Sequence, residues 1–430
     1  MIYVIVIVFS IFAPLLGVIG MERGAYSLTA SEYGYRVGAT EAYLMYAVII
    51  FLTIYVLNYK KNMFSFSYNF YHLGLERKSE GGKVRIRIEF ILLVVFSAAL
   101  AYHNLILAGG WRVIEGVTGR GEFRAGLGRY GAAAYLIIKW YAPVILAYSC
   151  EVCFKSRDLF LYVLTFLIFI FTAISSIAFG YKASIIILVT PALIILFWKP
   201  RLLTLVLFPA FGLALIVGGY LLFGVDKVGS TAHAFSKSGL FDQLFYRVFV
   251  LQGELPWKIW GEYVQGHELP NYLGTLKSLL GGRLGNIFFS GSMPVTPEEI
   301  VAANFGMLTT HFAGYPIEGV LAGHNSTATA FSEGVLAGGM AGVVAFSVLA
   351  GLVIYFVYQV MDVSLKQGNY IIACVFSVYS IFGVMSWLIG GGLSTLIHIS
   401  VVFGFVTSVL MLFIVRYVST KISERLQKAI

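Results

Sequence analysis

Ten stretches of this chain stay apolar for long enough to cross a lipid bilayer, and no other feature restricts its possible folds as much. A hydrocarbon slab of about 30 Å takes roughly 20 helical residues. Runs of that order lie near 2–20, 41–57, 88–108, 132–149, 159–178, 183–198, 202–223, 334–359, 369–389 and 396–416. They are continuous and not alternating, so they predict helices and not barrel strands. Of the 430 residues, 59% are hydrophobic and 12% charged, a balance that no water-soluble core could absorb. The prediction is an all-α, polytopic integral membrane protein with about ten transmembrane helices in one domain over residues 1–430. The first run has no basic flank and no small-residue cleavage site, and it reads as a retained helix, not a signal peptide.

Lysine and arginine orient the runs, because short cytoplasmic loops hold the excess of both. With the N-terminus cytoplasmic, the inner segments hold 16 of the 30 basic residues, chiefly in the loop 58–87 and the tail from 417. The short outer loops hold Arg23, Arg36, Arg112, Arg120, Arg124, Arg129 and Lys182. The long segment 224–332 is exempt, since long loops cross largely regardless of charge. Both termini are therefore expected in the cytoplasm, with an arginine-rich external loop at 109–131 and a large external region at 224–332. The net charge of +9 is mostly this cytoplasmic skirt, which suits anionic lipid headgroups; no basic–aromatic pattern calls for nucleic acid. Cys150, Cys153 and Cys374 fall at or within helices, where packing explains them better than a disulfide or a zinc site.

Against that orientation, "GRGEFRAGLGRYG" at 119–131 is an exception: an arginine cluster crowding an outer loop. Its glycines each cost a helix about 1 kcal/mol relative to alanine, so the stretch reads as a turn-rich loop entering the helix at 132. Such a loop, a helix N-terminus and several guanidinium forks together make a phosphate site, and Arg120, Arg124 and Arg129 are its candidate ligands. Interface anchoring, or pairing with Glu115 and Glu122, is the alternative. Lys182 sits at a tight turn between two apolar helices, where a cation is costly unless it functions or snorkels to the headgroups. "DQLFYRVFVLQGELPWKIW" then sets Asp242, Arg247, Glu254, Trp257 and Lys258 among aromatic rings. Carboxylates beside rings suit a sugar, although an amphipathic helix lying in the interface would look the same.

The densest polar signal is "GHNSTATAFSEGVLAGG" at 323–339, in which His324 and Asn325 precede a small polar run and Glu333 opens the next apolar helix. His-Asn, seven residues, then Glu-Gly and a further pair of small residues resembles the motif of the Wzy-type O-antigen polymerases and the O-antigen ligases. The glycine spacing after Glu333 departs slightly from the ligase form. The arginine-rich loop, the turn from Gly180 to Lys182, and Tyr246 with Arg247 follow in the order found in the polymerases. The resemblance covers roughly 115–345, and the first hundred residues match only in hydropathy.

That resemblance implies a GT-C-like, metal-independent glycosyltransferase of the bacterial inner membrane with its active site on the periplasmic face and no cofactor. Donor and acceptor would be undecaprenyl-pyrophosphate-linked oligosaccharides, with a chain-length-determining co-polymerase and a flippase as partners. Arg120, Arg124, Arg129 and Lys182 would hold the pyrophosphate, Asp242, Glu254, Trp257 and Asn325 the sugar, and His324, Glu333 and Arg247 would carry the chemistry. An imidazole with an ordinary pKa near 6.5 suits acceptance of the hydroxyl proton, whereas Glu333 in a first helical turn favours capping or sugar orientation. A ligase acting on lipid A core would use the same donor. A transporter is the alternative of another class, disfavoured by the lack in the sequence of paired broken helices and of an intramembrane acidic relay.

Overall fold

A computed structural model of the protein describes residues 2–24, 36–59, 80–115, 117–118, 123, 128–178, 184–198, 249–269, 296–302, 304–321, 328–390 and 392–429. The described residues form helices and turns and no strands. The principal helices are α1 (Ile2–Glu22), α2 (Ala39–Tyr59), α3 (Glu80–Tyr102), α4 (Gly128–Ser156), α5 (Leu159–Ala178), α6 (Ser184–Leu196), α7 (Leu251–Val264), α8 (Phe305–Phe312), α9 (Ala330–Gln367), α10 (Tyr370–Tyr379) and α11 (Ile399–Ala429). Seven spans among the described residues are long and apolar enough to cross a membrane: Tyr3–Glu22, Ala39–Tyr59, Lys83–Leu107, Leu159–Ser176, Ala330–Gln367, Tyr370–Ile389 and Ser394–Lys428. The expected run at 202–223 lies outside the described residues. The helix expected from 132 begins earlier, at Gly128, so Gly128 and Gly131 belong to its first turn and not to the preceding loop.

Charge divides the bundle into two ends. At the basic end, Arg87 pairs with Asp158 at 2.9 Å and ties the start of α3 to the α4–α5 turn. Lys155 lies 3.8 Å from the Tyr370 ring centroid. Trp198 stacks on Tyr358 at 5.0 Å and donates to Asp362 at 3.1 Å, while the Tyr3 hydroxyl donates to the Ile354 carbonyl at 3.1 Å. At the opposite end, the Glu22 carboxylate caps α2, accepting from the Ala39 amide at 2.9 Å and from the Thr40 hydroxyl. An anion at a helix N-terminus satisfies orphan amides and meets the positive end of the dipole.

Two apolar cores run side by side. One joins α1, α2, α7 and α9 through Tyr43, Trp257, Trp260, Phe331 and Trp387; the other joins α3 to α6, α10 and α11 through Phe90, Trp140, Tyr148 and Leu412. Phe123, in the middle of the arginine-rich stretch, is buried in the second core. Lipid is as apolar as leucine, so close helix contact depends on small residues. A Cβ on Gly17 would lie 2.1 Å from the Phe249 carbonyl oxygen, and one on Gly253 would lie 2.2 Å from the Gly17 carbonyl carbon. Helix α7 therefore lies against α1 backbone to backbone, with Gly253 to Trp257 and Ile259 to Gly261 buried. This corrects the alternative of an amphipathic helix in the interface: α7 is packed into the bundle.

Candidate functional site

Glu333 organises the end of the bundle opposite the basic one. It lies in the first turn of α9 and is completely buried. The Leu393 amide donates to both its carboxylate oxygens, at 2.9 and 2.7 Å, and the Trp387 indole Nε1–H donates to Oε2 at 3.0 Å. A buried carboxylate is costly unless its lone pairs are engaged, and these charge-assisted bonds engage them.

Both elements that meet at Glu333 are broken. Within α9, Gly338 (φ −176°, ψ 28°) and Gly339 (φ 59°, ψ −136°) leave the helical region. The conformation of Gly339 is open only to glycine. The half-helix 330–337 is turned back against the rest of α9, so that a Cβ on Gly342 would lie 2.0 Å from the Gly334 carbonyl oxygen. The Tyr263 hydroxyl closes over the break, 3.4 Å from the Met340 amide. Beyond α10 the chain passes through a π-helical turn (Ser380–Met385) and two four-residue helices (Ser386–Ile389 and Ser394–Ile397), and leaves helical geometry at Gly390 and His398. An irregular backbone at membrane depth must find hydrogen bonds within the protein, and for Leu393 the acceptor is Glu333.

Aromatic rings and hydroxyls surround the half-helix. Phe331 packs on Tyr43, Tyr46 and Trp260 at 4.9, 5.8 and 5.8 Å. The Tyr43 hydroxyl faces Thr329, and Tyr46 lies within range of the Glu333 charge. The Tyr46 and Ser332 hydroxyls are buried with no hydrogen-bond partner among the described residues. Lys258 is committed to structure: its ammonium donates to the Phe312 carbonyl at the end of α8 at 3.0 Å.

Two further predicted residues lie on the helix packed against the one that carries Glu333. Glu254 and Trp257, three apart on α7, are 1% and 6% exposed, and α7 packs on α9, with Trp260 against Phe331. Arg129 falls in the first turn of α4. Its side chain, and His324, Asn325, Arg247, Arg120, Arg124, Lys182 and Asp242, lie outside the described residues. Glu115, the suggested partner for those arginines, accepts from the Trp111 indole at 2.7 Å.

Three ionisable groups at membrane depth escaped the sequence reading. Lys139 is the lone cation in "YLIIKWYAPVIL", with its ammonium 5.1 Å from the Phe382 ring centroid. His398 sits in the break before α11. Glu89, in "IRIEFILL", is 1% exposed at the basic end and accepts from the Tyr148 hydroxyl at 2.7 Å, within charge range of Arg85 and Arg416. For Lys139 and His398 a single polar letter inside an apolar run was the available signal, and for Glu89 an acid beside Arg85 and Arg87 at the start of one. Single breaks and buried carboxylates do occur among the described residues, but the breaks at Gly338–Gly339, Gly390 and His398 all belong to the C-terminal part of the chain and not to matching halves.

Comparison with protein-family models, with curated proteins and with solved structures finds no match for this chain.

Proposed function

We propose that the protein is a membrane glycosyltransferase that extends lipid-pyrophosphate-linked oligosaccharides, with its reaction centre at the end of the bundle opposite the basic one. One observation supports the reading most: the half-helix that begins at Ala330 and carries the buried Glu333 follows directly in sequence on the polar stretch that contains His324 and Asn325. With Glu333 held by Leu393 and Trp387, its role is to fix the half-helix, and His324 is left to accept the proton of the attacking hydroxyl. The leaving pyrophosphate develops charge as the glycosidic bond breaks, and Arg120, Arg124, Arg129, Lys182 and Arg247 supply the compensating cations. Purified protein supplied with undecaprenyl-pyrophosphate-linked repeat units is expected to produce a ladder of longer lipid-linked chains. Transfer to lipid A core with no ladder would identify a ligase instead.

A transporter is the second reading, and a specific observation favours it: two interrupted segments meet at a buried carboxylate. Broken helices at membrane depth are how transporters build binding sites. Flux of a lipid-linked or soluble sugar through proteoliposomes, without bond formation, would support that reading over the first.

A further inference from the structure

Between α4, α5 and α6 lies a cavity of about 400 Å³, bordered by Leu146 and Phe154 on α4, Tyr162 and Phe169 on α5, and Val189 and Leu196 on α6. Almost nothing polar reaches its wall. The Thr165 hydroxyl, which borders it, donates to the Leu161 carbonyl at 2.8 Å and is satisfied within α5. A buried water needs roughly two to four polar partners, and such a wall does not supply them. Left empty, the lining side chains would forfeit the contacts that close packing gives. Phe154 and Phe166 are exposed at the border, so the cavity opens outward, toward lipid. Lipid chains are as apolar as these side chains, and hydrocarbon fills such a space at little cost.

Its depth fits one leaflet. The cavity starts at the basic end, where Phe154 precedes Lys155, Tyr162 lies in the first turn of α5 and Leu196 is the last residue of α6. Eight residues of α4 separate Phe154 from Leu146, a rise of about 12 Å. Half of a hydrocarbon slab is about 15 Å, so a single chain entering from the headgroups at the basic end reaches the floor. The rim then selects the headgroup. Arg157 lies one turn beyond Cys153, which lines the cavity, and its amide donates to the Cys153 carbonyl at 3.0 Å. It takes the left-handed conformation (φ 54°) that helix ends ordinarily give to glycine, so a side chain is kept where the backbone would favour none. That side chain is exposed and has no hydrogen bond or ion pair among the described residues. The acids beside it are engaged, Asp158 by Arg87 at 2.9 Å and Glu151 by Lys155 at 2.5 Å. Arg157 is left to meet a phosphate, which its planar fork suits.

We infer that this cavity holds one acyl chain of an anionic phospholipid from the leaflet at the basic end, with the lipid phosphate at Arg157. The site is independent of the transferase reading, whose centre lies at the other end of the bundle. Full-length protein in nanodiscs would be photolabelled with phosphatidylglycerol carrying a diazirine on one acyl chain and, separately, with the matching phosphatidylcholine, and the label mapped by peptide mass spectrometry. Label is expected on the lining residues of α4, α5 and α6 in excess of that on Val48, which is exposed on α2 and reports bulk lipid. Phosphatidylglycerol should label the cavity about fivefold more than phosphatidylcholine, the weight of one basic residue at an anionic surface, and Arg157→Gln should remove that preference. Ala192→Trp, which places a ring in the cavity from α6, should abolish cavity label and leave Val48 labelled; if that variant does not fold, Thr165→Phe fills the space from α5. Cavity label no greater than that on Val48, or unchanged in the folded filling variant, would overturn the inference. Equal labelling by the two lipids, or a preference that survives Arg157→Gln, would overturn the assignment of the phosphate to Arg157.

Discussion

The Leu393 amide reaches both oxygens of Glu333, so Glu333→Ala strands that amide and the Trp387 indole at once. Each buried donor left unpaired costs about 1–3 kcal/mol, and the variant should unfold at a clearly lower temperature. Glu333→Gln keeps an oxygen for Leu393 and should lose less; equal melting of Glu333→Ala and wild type would refute the structural role. His324 has the other role: His324→Ala should slow chain extension by about 10²- to 10⁴-fold, the usual contribution of a general base, with donor binding kept. Full activity of that variant would assign the base elsewhere. At the basic end, the hydrogen bond from Arg87 holds the Asp158 carboxyl below the usual carboxylate range. A depressed pKa stabilises the fold above the unfolded value, near 3.9, and that stabilisation is lost as pH falls through the folded value. The pair is exposed and its contribution modest. Arg87→Met should therefore lower the melting temperature slightly at pH 7, with the gap to wild type narrowing as pH falls below about 4, and a gap that does not narrow at low pH would show that Arg87 acts by packing.

At the scale of elements, the break in α9 is the feature on which the proposed centre depends. Gly339→Ala would force a side chain into a conformation costing roughly 1–3 kcal/mol, and its Cβ would meet the Tyr263 hydroxyl at 2.5 Å. Loss of stability together with loss of extension is expected, and normal extension by Gly339→Ala would mean that α9 works equally well unbroken. Apolar run length made the seven membrane-length helices among the described residues legible, because the bilayer demands it of each spanning element, whereas α7 and α8 fall in the stretch read as an external loop region. The breaks were hidden for the same reason: residues 334–359 and 396–416 remain apolar whether or not the backbone is regular, and "GG" at 338–339 reads equally as a packing face. Glu254 and Trp257 were legible as polar and aromatic letters, but their burial comes from the Gly17–Gly253 contact between segments more than two hundred residues apart, and no local pattern encodes it. Lys139 and His398 were visible as letters; only the packing of Trp140 on α11 makes them neighbours.

For the whole molecule, the division into a basic end and an opposite end carries a topological prediction: residue 125 and the half-helix at 330 on one side of the membrane, Arg87, Lys155 and Arg416 on the other. Reporter fusions that place residue 125 in the cytoplasm would reverse the proposed orientation. In the proposed orientation, the arginine-rich stretch would face the compartment where a lipid-linked oligosaccharide presents its sugar, and the skirt of Lys and Arg would face anionic headgroups. The most direct measurement is a sided one, in proteoliposomes with the protein in a single orientation and lipid-linked repeat units confined to one leaflet. Ladder formation from units in the leaflet at the Glu333 end, abolished by Arg124→Ala and slowed by His324→Ala, is the predicted result. Sugar appearing across the membrane with no new glycosidic bond, or ladders formed only from the leaflet at the basic end, would contradict it.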